Sequence, residues 1–98
     1  LVYNEAACAK EQMGRGEPGR EMLSQAGEML KAQSDWTEEG LEKALHDWIE
    51  GQGLEIKNVA PKIRIALTGT TVSPALWPTL VLIGKDETLK RIAAFLEH

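Results

Sequence analysis

Apolar residues recur along this chain at spacings of three and four and nowhere alternate over a useful strand length. That is the period of helices rather than of sheets. The segment from Asn4 to Gln12, rich in Ala and closed by Met13-Gly14, is a weak helix, and Gly14, Gly16, Pro18 and Gly19 form a loop after it. From Pro18 onward, Met22, Leu23, Ala26, Met29 and Leu30 line one side of a helix of about four turns. Gly27 weakens that helix by about 1 kcal/mol relative to Ala if it is exposed. The next helix carries the clearest start signals. Thr37 can cap it, Glu38 and Glu39 suit the positive end of its dipole, and Trp36 can pack on Leu41 from outside the first turn. Leu41, Ala44, Leu45, Trp48 and Ile49 then form its buried face, and Gly51 and Gly53 end it.

Leu54 to Lys57 reads as a short extended link, with Asn58 capping a fourth helix and Pro61 in its first turn. Ile63, Ala66 and Leu67 mark that helix's buried side, and Gly69 stops it. Thr70-Thr71-Val72 is a loop. Ser73-Pro74 then reads as a cap followed by the first helical residue, because proline's fixed φ suits that position. Leu76, Trp77, Leu80 and Val81 line the fifth helix. A last helix starts near Asp86 as its cap, with Leu89, Ile92, Ala93 and Leu96 inward. Short helices joined by short turns predict an all-α fold, a compact bundle of about five to six helices in one domain over residues 1–98. The opening without an initiator Met suggests a piece of a longer protein, and residues 96–98 resemble a cloning scar.

Composition narrows the chemistry. The 98 residues suffice for one domain, and a hydrophobic fraction of 43% can supply its core. No apolar run approaches a membrane span. Cys8 is the sole cysteine, which excludes an internal disulfide, excludes a cysteine-based zinc site and fits a reducing cytosol. The net charge of −4 excludes a generally basic nucleic-acid coat protein but not a local basic patch. Residues 1–50 hold 5 Lys/Arg against 11 Asp/Glu, and residues 51–98 hold 6 against 4. An anionic partner would therefore meet the second half. Phosphate-loop, dinucleotide and zinc-protease motifs are absent. His46 falls toward the polar side of its helix, and Cys8 lies among alanines as a small packing residue, so no catalytic constellation is expected here. Trp36, Trp48 and Trp77 sit at packing positions rather than between cations, unlike base-stacking platforms.

The order of short motifs is more telling than any one of them. Pro61-Lys62-Ile63-Arg64-Ile65-Ala66-Leu67-Thr68-Gly69 is followed by Ser73-Pro74-Ala75-Leu76, then Leu82-Ile83-Gly84-Lys85-Asp86, then Leu89-Lys90-Arg91-Ile92. This succession resembles the C-terminal anticodon-binding region of bacterial-type glutamyl-tRNA synthetases. The match is best over residues 35–95 and diffuse over 1–34. The resemblance implies an α-helical cage that binds the anticodon arm of tRNA, in a cytoplasmic, monomeric protein without a membrane role. The parent enzyme would join glutamate to its tRNA with ATP and Mg²⁺, using a catalytic domain outside this chain, so no cofactor is expected in this segment itself. The resemblance places Arg64, Ser73, Pro74 and Leu76 at the anticodon bases, with a further arginine before residue 1. An arginine fork suits exposed base edges, and free N–H groups at a helix start suit an electron-rich partner. Lys62, Lys85, Lys90 and Arg91 are the candidate phosphate contacts. Two other readings stay open: a helical protein-interaction or scaffold domain, and the related cage of a class I lysyl-tRNA synthetase.

Overall fold

The structure is a computed structural model, and it describes residues 2–71 and 75–98. The six helices over these residues are α1 (Glu5–Lys10), α2 (Pro18–Ala32), α3 (Glu38–Gly51), α4 (Ile56–Thr68), α5 (Leu76–Ile83) and α6 (Lys85–Glu97). The Thr37 capping reading holds, and Asn4 and Pro18 also open helices. Asn4 Oδ1 accepts from the Ala7 N–H at 2.8 Å, Thr37 Oγ1 accepts from the Gly40 N–H at 3.1 Å, and Pro18 opens α2. Each provides for an N-terminal helix turn whose donors have no partner within the helix.

Helix α4 is the centre of the bundle. It packs on α1, α2, α3 and α6. Val59, Ala60, Lys62, Ile63, Ile65, Ala66 and Leu67 are all buried, so the helix is covered on nearly every side, not only along Ile63, Ala66 and Leu67. Its start also differs from the reading above. The helix begins at Ile56, two residues before Asn58, with Glu55 as the N-cap. Asn58 sits in the first turn, and its Oδ1 accepts from the Glu55 N–H at 2.8 Å. It therefore caps from inside the helix, reaching back. Pro61 consequently falls inside the helix rather than near its start, on the side left partly open, where a missing N–H is least costly.

The outer helices lie against this one. Helices α2 and α6 pack on α4 and on each other, while α3 and α5 pair and α5 leans on α6. Leu23, Ala26 and Leu30 of α2, Leu41, Leu45 and Ile49 of α3, Leu76 and Leu80 of α5, and Ile92 and Phe95 of α6 complete the core. Gly27 is buried rather than exposed, and a Cβ there would press on Ile92 Cγ2. Its absence allows α2 and α6 to approach closely. Met13, read as a mere stop to α1, is 1% exposed and belongs to the core.

Two faces are rotated from expectation. In α5, Val81 points outward with Leu82, which is 88% exposed. The helix starts at Leu76, with Ala75 as its N-cap. Ser73 and Pro74 themselves lie outside the described residues. In α6 the N-cap is Gly84 rather than Asp86, and the buried residues are Thr88, Ile92 and Phe95, with Ala93 exposed. Phe95 turns inward because Tyr3 packs edge-on against it, ring centres 4.7 Å apart, while the Arg20 guanidinium lies 5.1 Å from the same ring. Trp48 is half-buried beside the α3 core residues. Trp36 reaches across to α5, its indole N–H donating to the Leu80 carbonyl at 2.8 Å.

Two backbone approaches admit glycine alone. Gly69 ends α4 at φ +84°, and a Cβ there would strike the Val2 carbonyl of the N-terminal strand of chain. Gly19 donates to the Gln12 carbonyl at 2.9 Å, and its Cβ would collide with the Glu11 and Gln12 carbonyl oxygens. Backbone cannot swing aside as a side chain can. Gly19→Ala should therefore lower stability by roughly 1–3 kcal/mol, read as a lower denaturation midpoint with an unchanged slope. Thr88 offers the opposite case. It is fully buried, and its Oγ1 has no hydrogen-bond partner among the described residues. Thr88→Val keeps the shape and removes the orphaned hydroxyl, so it should raise stability by about 1 kcal/mol in the same measurement.

Candidate nucleic-acid interface

From Val59 to Gly69, the residues of α4 that are not buried are Pro61, Arg64 and Thr68. Spacings of three and four put these on one side of the helix. With exposed Lys57 one turn earlier, they form a narrow stripe on an otherwise enclosed helix. Arg64 occupies its middle. Its Nε is buried without a hydrogen-bond partner, and no ion pair or hydrogen bond to its guanidinium occurs among the described residues. Beyond it, the Thr68 hydroxyl donates within the turn, 2.9 Å from the Arg64 carbonyl and 3.0 Å from that of Thr70. The stripe thus runs into the loop that starts at Gly69.

Several other cations are engaged inside the protein, and three of them share one reason. The last carbonyls of a helix have no intrahelical donor, and positive charge suits that end of the dipole. Arg20 reaches the end of α6, with Nη1 at 2.9 Å from the Leu96 carbonyl and Nε at 3.2 Å from that of Met13. Lys85 Nζ lies 2.7 Å from the carbonyl of Gln33, the C-cap of α2. Arg91 Nη1 lies 2.8 Å from the Leu67 carbonyl near the end of α4, and its Nε meets Glu87 at 2.9 Å. Each clamp joins two helices distant in sequence.

Two candidates are corrected by these positions. Lys62 is 7% exposed, paired with Glu11 at 3.0 Å and bonded to the Asn58 carbonyl at 2.6 Å. It fastens α1 to α4 and cannot meet a phosphate without breaking that pair. Leu76 is 3% exposed. It anchors the start of α5 in the core, and its side chain cannot pack on a base. Lys85 holds an internal carbonyl, as above. Lys90 is exposed and has no ion pair among the described residues. Arg64 was placed by motif, but the structural work of Arg20, Gln33, Glu11 and Tyr3 had no signal in spacing. Their partners lie far along the chain, Phe95 for Tyr3 and Leu96 for Arg20.

The other chemistry-bearing side chains are unremarkable. His46 is exposed, its ring 6.3 Å from Trp77. Cys8 is half-buried, and burial pushes its thiol up despite the nearby Arg20. That leaves it a poorer nucleophile than an open thiol. Among the described residues no group of three or more His, Cys, Asp or Glu could hold a metal ion. No helix among them is long and apolar enough to cross a membrane.

A family model described as an anticodon binding domain matches residues 1–96, essentially the whole chain. The chain belongs to that family. Curated relatives agree with it. This anticodon-binding domain is 40% identical over 92 residues to the glutamate–tRNA ligase of Nitratidesulfovibrio vulgaris, a match covering 94% of the chain and 19% of the relative. It is 45% identical over 76 residues to glutamate–tRNA ligase 1 of Erythrobacter litoralis, covering 78% and 16%. A crystal structure of a glutamate tRNA ligase from Elizabethkingia meningosepticum, in complex with its amino acid, superposes with a TM-score of 0.85 at 25% identity, covering 98% of this chain and 18% of that one. The domain is homologous to the C-terminal part of such ligases and spans about a fifth of the length of the curated relatives it matches.

The Lys62–Glu11 pair yields a test of the corrected assignment. Both side chains are mostly buried, so removing one charge strands the other. Glu11→Ala should cost about 3 kcal/mol, whereas the double change Glu11→Leu with Lys62→Met should recover most of it. Thermal or denaturant unfolding of the three proteins reads the difference.

Proposed function

We propose that this anticodon-binding domain reads the anticodon of the glutamate tRNA within a glutamate–tRNA ligase, with Arg64 as the residue that meets the base edges. The observation that carries this is the unpaired Arg64 in the one open stripe of a buried helix. Every arginine held in an internal clamp has a carbonyl to satisfy; this one has no such partner among the described residues. A half-buried guanidinium keeps its stem fixed by packing and offers its planar fork to a partner, the geometry that suits the Watson–Crick and Hoogsteen edges of unstacked bases. Ser73 and Pro74 belong to the same proposal through their motif and their place in the chain between α4 and α5.

Aminoacylation with ATP and Mg²⁺ belongs, in this reading, to the rest of the ligase, and so do the cytoplasmic location and the monomeric state. The scaffold reading needs a broad apolar surface. Among the described residues, the large apolar side chains that are exposed are Val2, Val81 and Leu82, two of them a short patch on α5.

Arg64→Ala in the full-length protein should shrink the affinity penalty for a tRNA with one changed anticodon base by roughly 1–3 kcal/mol, by analogy with bidentate base contacts in DNA. Arg64→Lys keeps the charge but loses the fork, so it should behave like Arg64→Ala in discrimination while retaining more of the total affinity. An unchanged penalty in both variants would assign Arg64 to packing.

A further inference from the structure

Where α6 passes the N-terminal segment, a groove of about 410 Å³ is lined by Tyr3, Glu87, Lys90, Arg91 and Ala94. We infer that this groove seats the phosphodiester backbone of the RNA strand whose bases Arg64 reads, with Arg91, Lys90 and Tyr3 as the contacts. The inference rests on the anticodon reading for the identity of the RNA and deepens it by placing the strand.

Position is the first argument. Both walls of the groove are fastened to the end of α4 toward which the Arg64 stripe runs. Arg91 holds the Leu67 carbonyl at 2.8 Å, and the Asn4 N–H, next to Tyr3, donates to the Gly69 carbonyl at 2.7 Å. Leu67 lies three residues beyond Arg64, a neighbouring position on the helix surface. A strand that presented bases to Arg64 could lay its backbone along this end of α4.

The second argument is preorganisation. Arg91 Nε is held by Glu87 at 2.9 Å and Nη1 by the Leu67 carbonyl, while Nη2 has no partner among the described residues. The guanidinium plane is therefore set before any ligand arrives, with one nitrogen still free to donate. Charge-assisted bonds of this kind to phosphate oxygens are among the stronger ones, and a fixed fork loses little entropy on binding. Lys90 adds a mobile, exposed point charge beside it. The Tyr3 ring is held edge-on by Phe95, and its hydroxyl makes no hydrogen bond among the described residues. Burial pushes that phenol up, so the hydroxyl stays protonated and available as a donor.

Glu87 supplies the sharpest test, because it orients Arg91 and also repels an anion. Glu87→Gln keeps an oxygen that can accept from Arg91 Nε and removes the negative charge. In the full-length protein, tRNA binding is measured across a salt series for the native tRNA and for one with a changed anticodon base. Glu87→Gln should tighten both at low salt and steepen the salt dependence. Lys90→Ala should reduce the slope of log affinity against log salt by about 0.7–0.9 for each tRNA alike and leave their ratio untouched. If neither variant moves affinity or slope while Arg64→Ala still alters the ratio, the groove assignment is wrong and the anticodon reading stands. If Lys90→Ala lowers the slope but Arg64→Ala leaves the ratio unchanged, the groove stands and the anticodon reading falls. A change in the ratio caused by Lys90→Ala would overturn the phosphate assignment, and a wild-type protein that binds neither tRNA would overturn both.

Discussion

The burial of α4 is the constraint on which the rest of the structure depends. A helix enclosed on nearly all sides needs apolar side chains around most of its circumference, and Val59, Ala60, Ile63, Ile65, Ala66 and Leu67 supply them. Four neighbours must then wrap it, and they do so as short helices because each covers only part of its surface. The same enclosure restricts where anything polar on α4 can go. Lys62, caught on the inside, requires Glu11. Arg64, at the margin, has no such partner among the described residues. One physical condition thus produces both the core and the exceptional arginine.

A second regularity is the use of cations to finish helices. Arg20 serves α6, Lys85 serves α2 and Arg91 serves α4, each reaching from a distant part of the chain. In short helices the unsatisfied carbonyls are a large share of the backbone, so leaving them without donors in a packed interior would be costly. These clamps lock helix pairs that share little sequence proximity. They also explain why a count of basic residues overstates the surface available to an anionic partner. The second half of the chain has 6 Lys/Arg, yet Lys62 is buried and Lys85 is tied to a carbonyl.

The proposed interface is therefore sparse rather than broadly positive. A protein of net charge −4 would gain little from diffuse attraction to RNA. Its discrimination would come from few groups held in place, with base-edge contacts carrying specificity and backbone contacts carrying register. The arrangement around the end of α4, where the Gly69 turn, the Tyr3 segment and Arg91 converge, suits that division, since rigid surroundings fix the few donors that matter.

By itself, the sequence determined the all-α class, the six segments that became helices, most of the core positions on α2 and α3, and the family. Each follows from local rules: the 3.6-residue period, the Thr37 cap, the start of the apolar stripe at Pro18, and motif order. Tertiary structure alone decided which face of α6 turned inward and where α4 began. It also decided that Gly27 and Gly19 mark close approaches and that Leu76 and Lys62 lie inside. Those outcomes depend on contacts between residues far apart in the chain, such as Phe95 with Tyr3 or Lys62 with Glu11. Helical periodicity reports that a face is buried but not the angle at which a neighbour will meet it. A lysine's spacing likewise carries no sign of whether a carboxylate fifty residues earlier will arrive beside it.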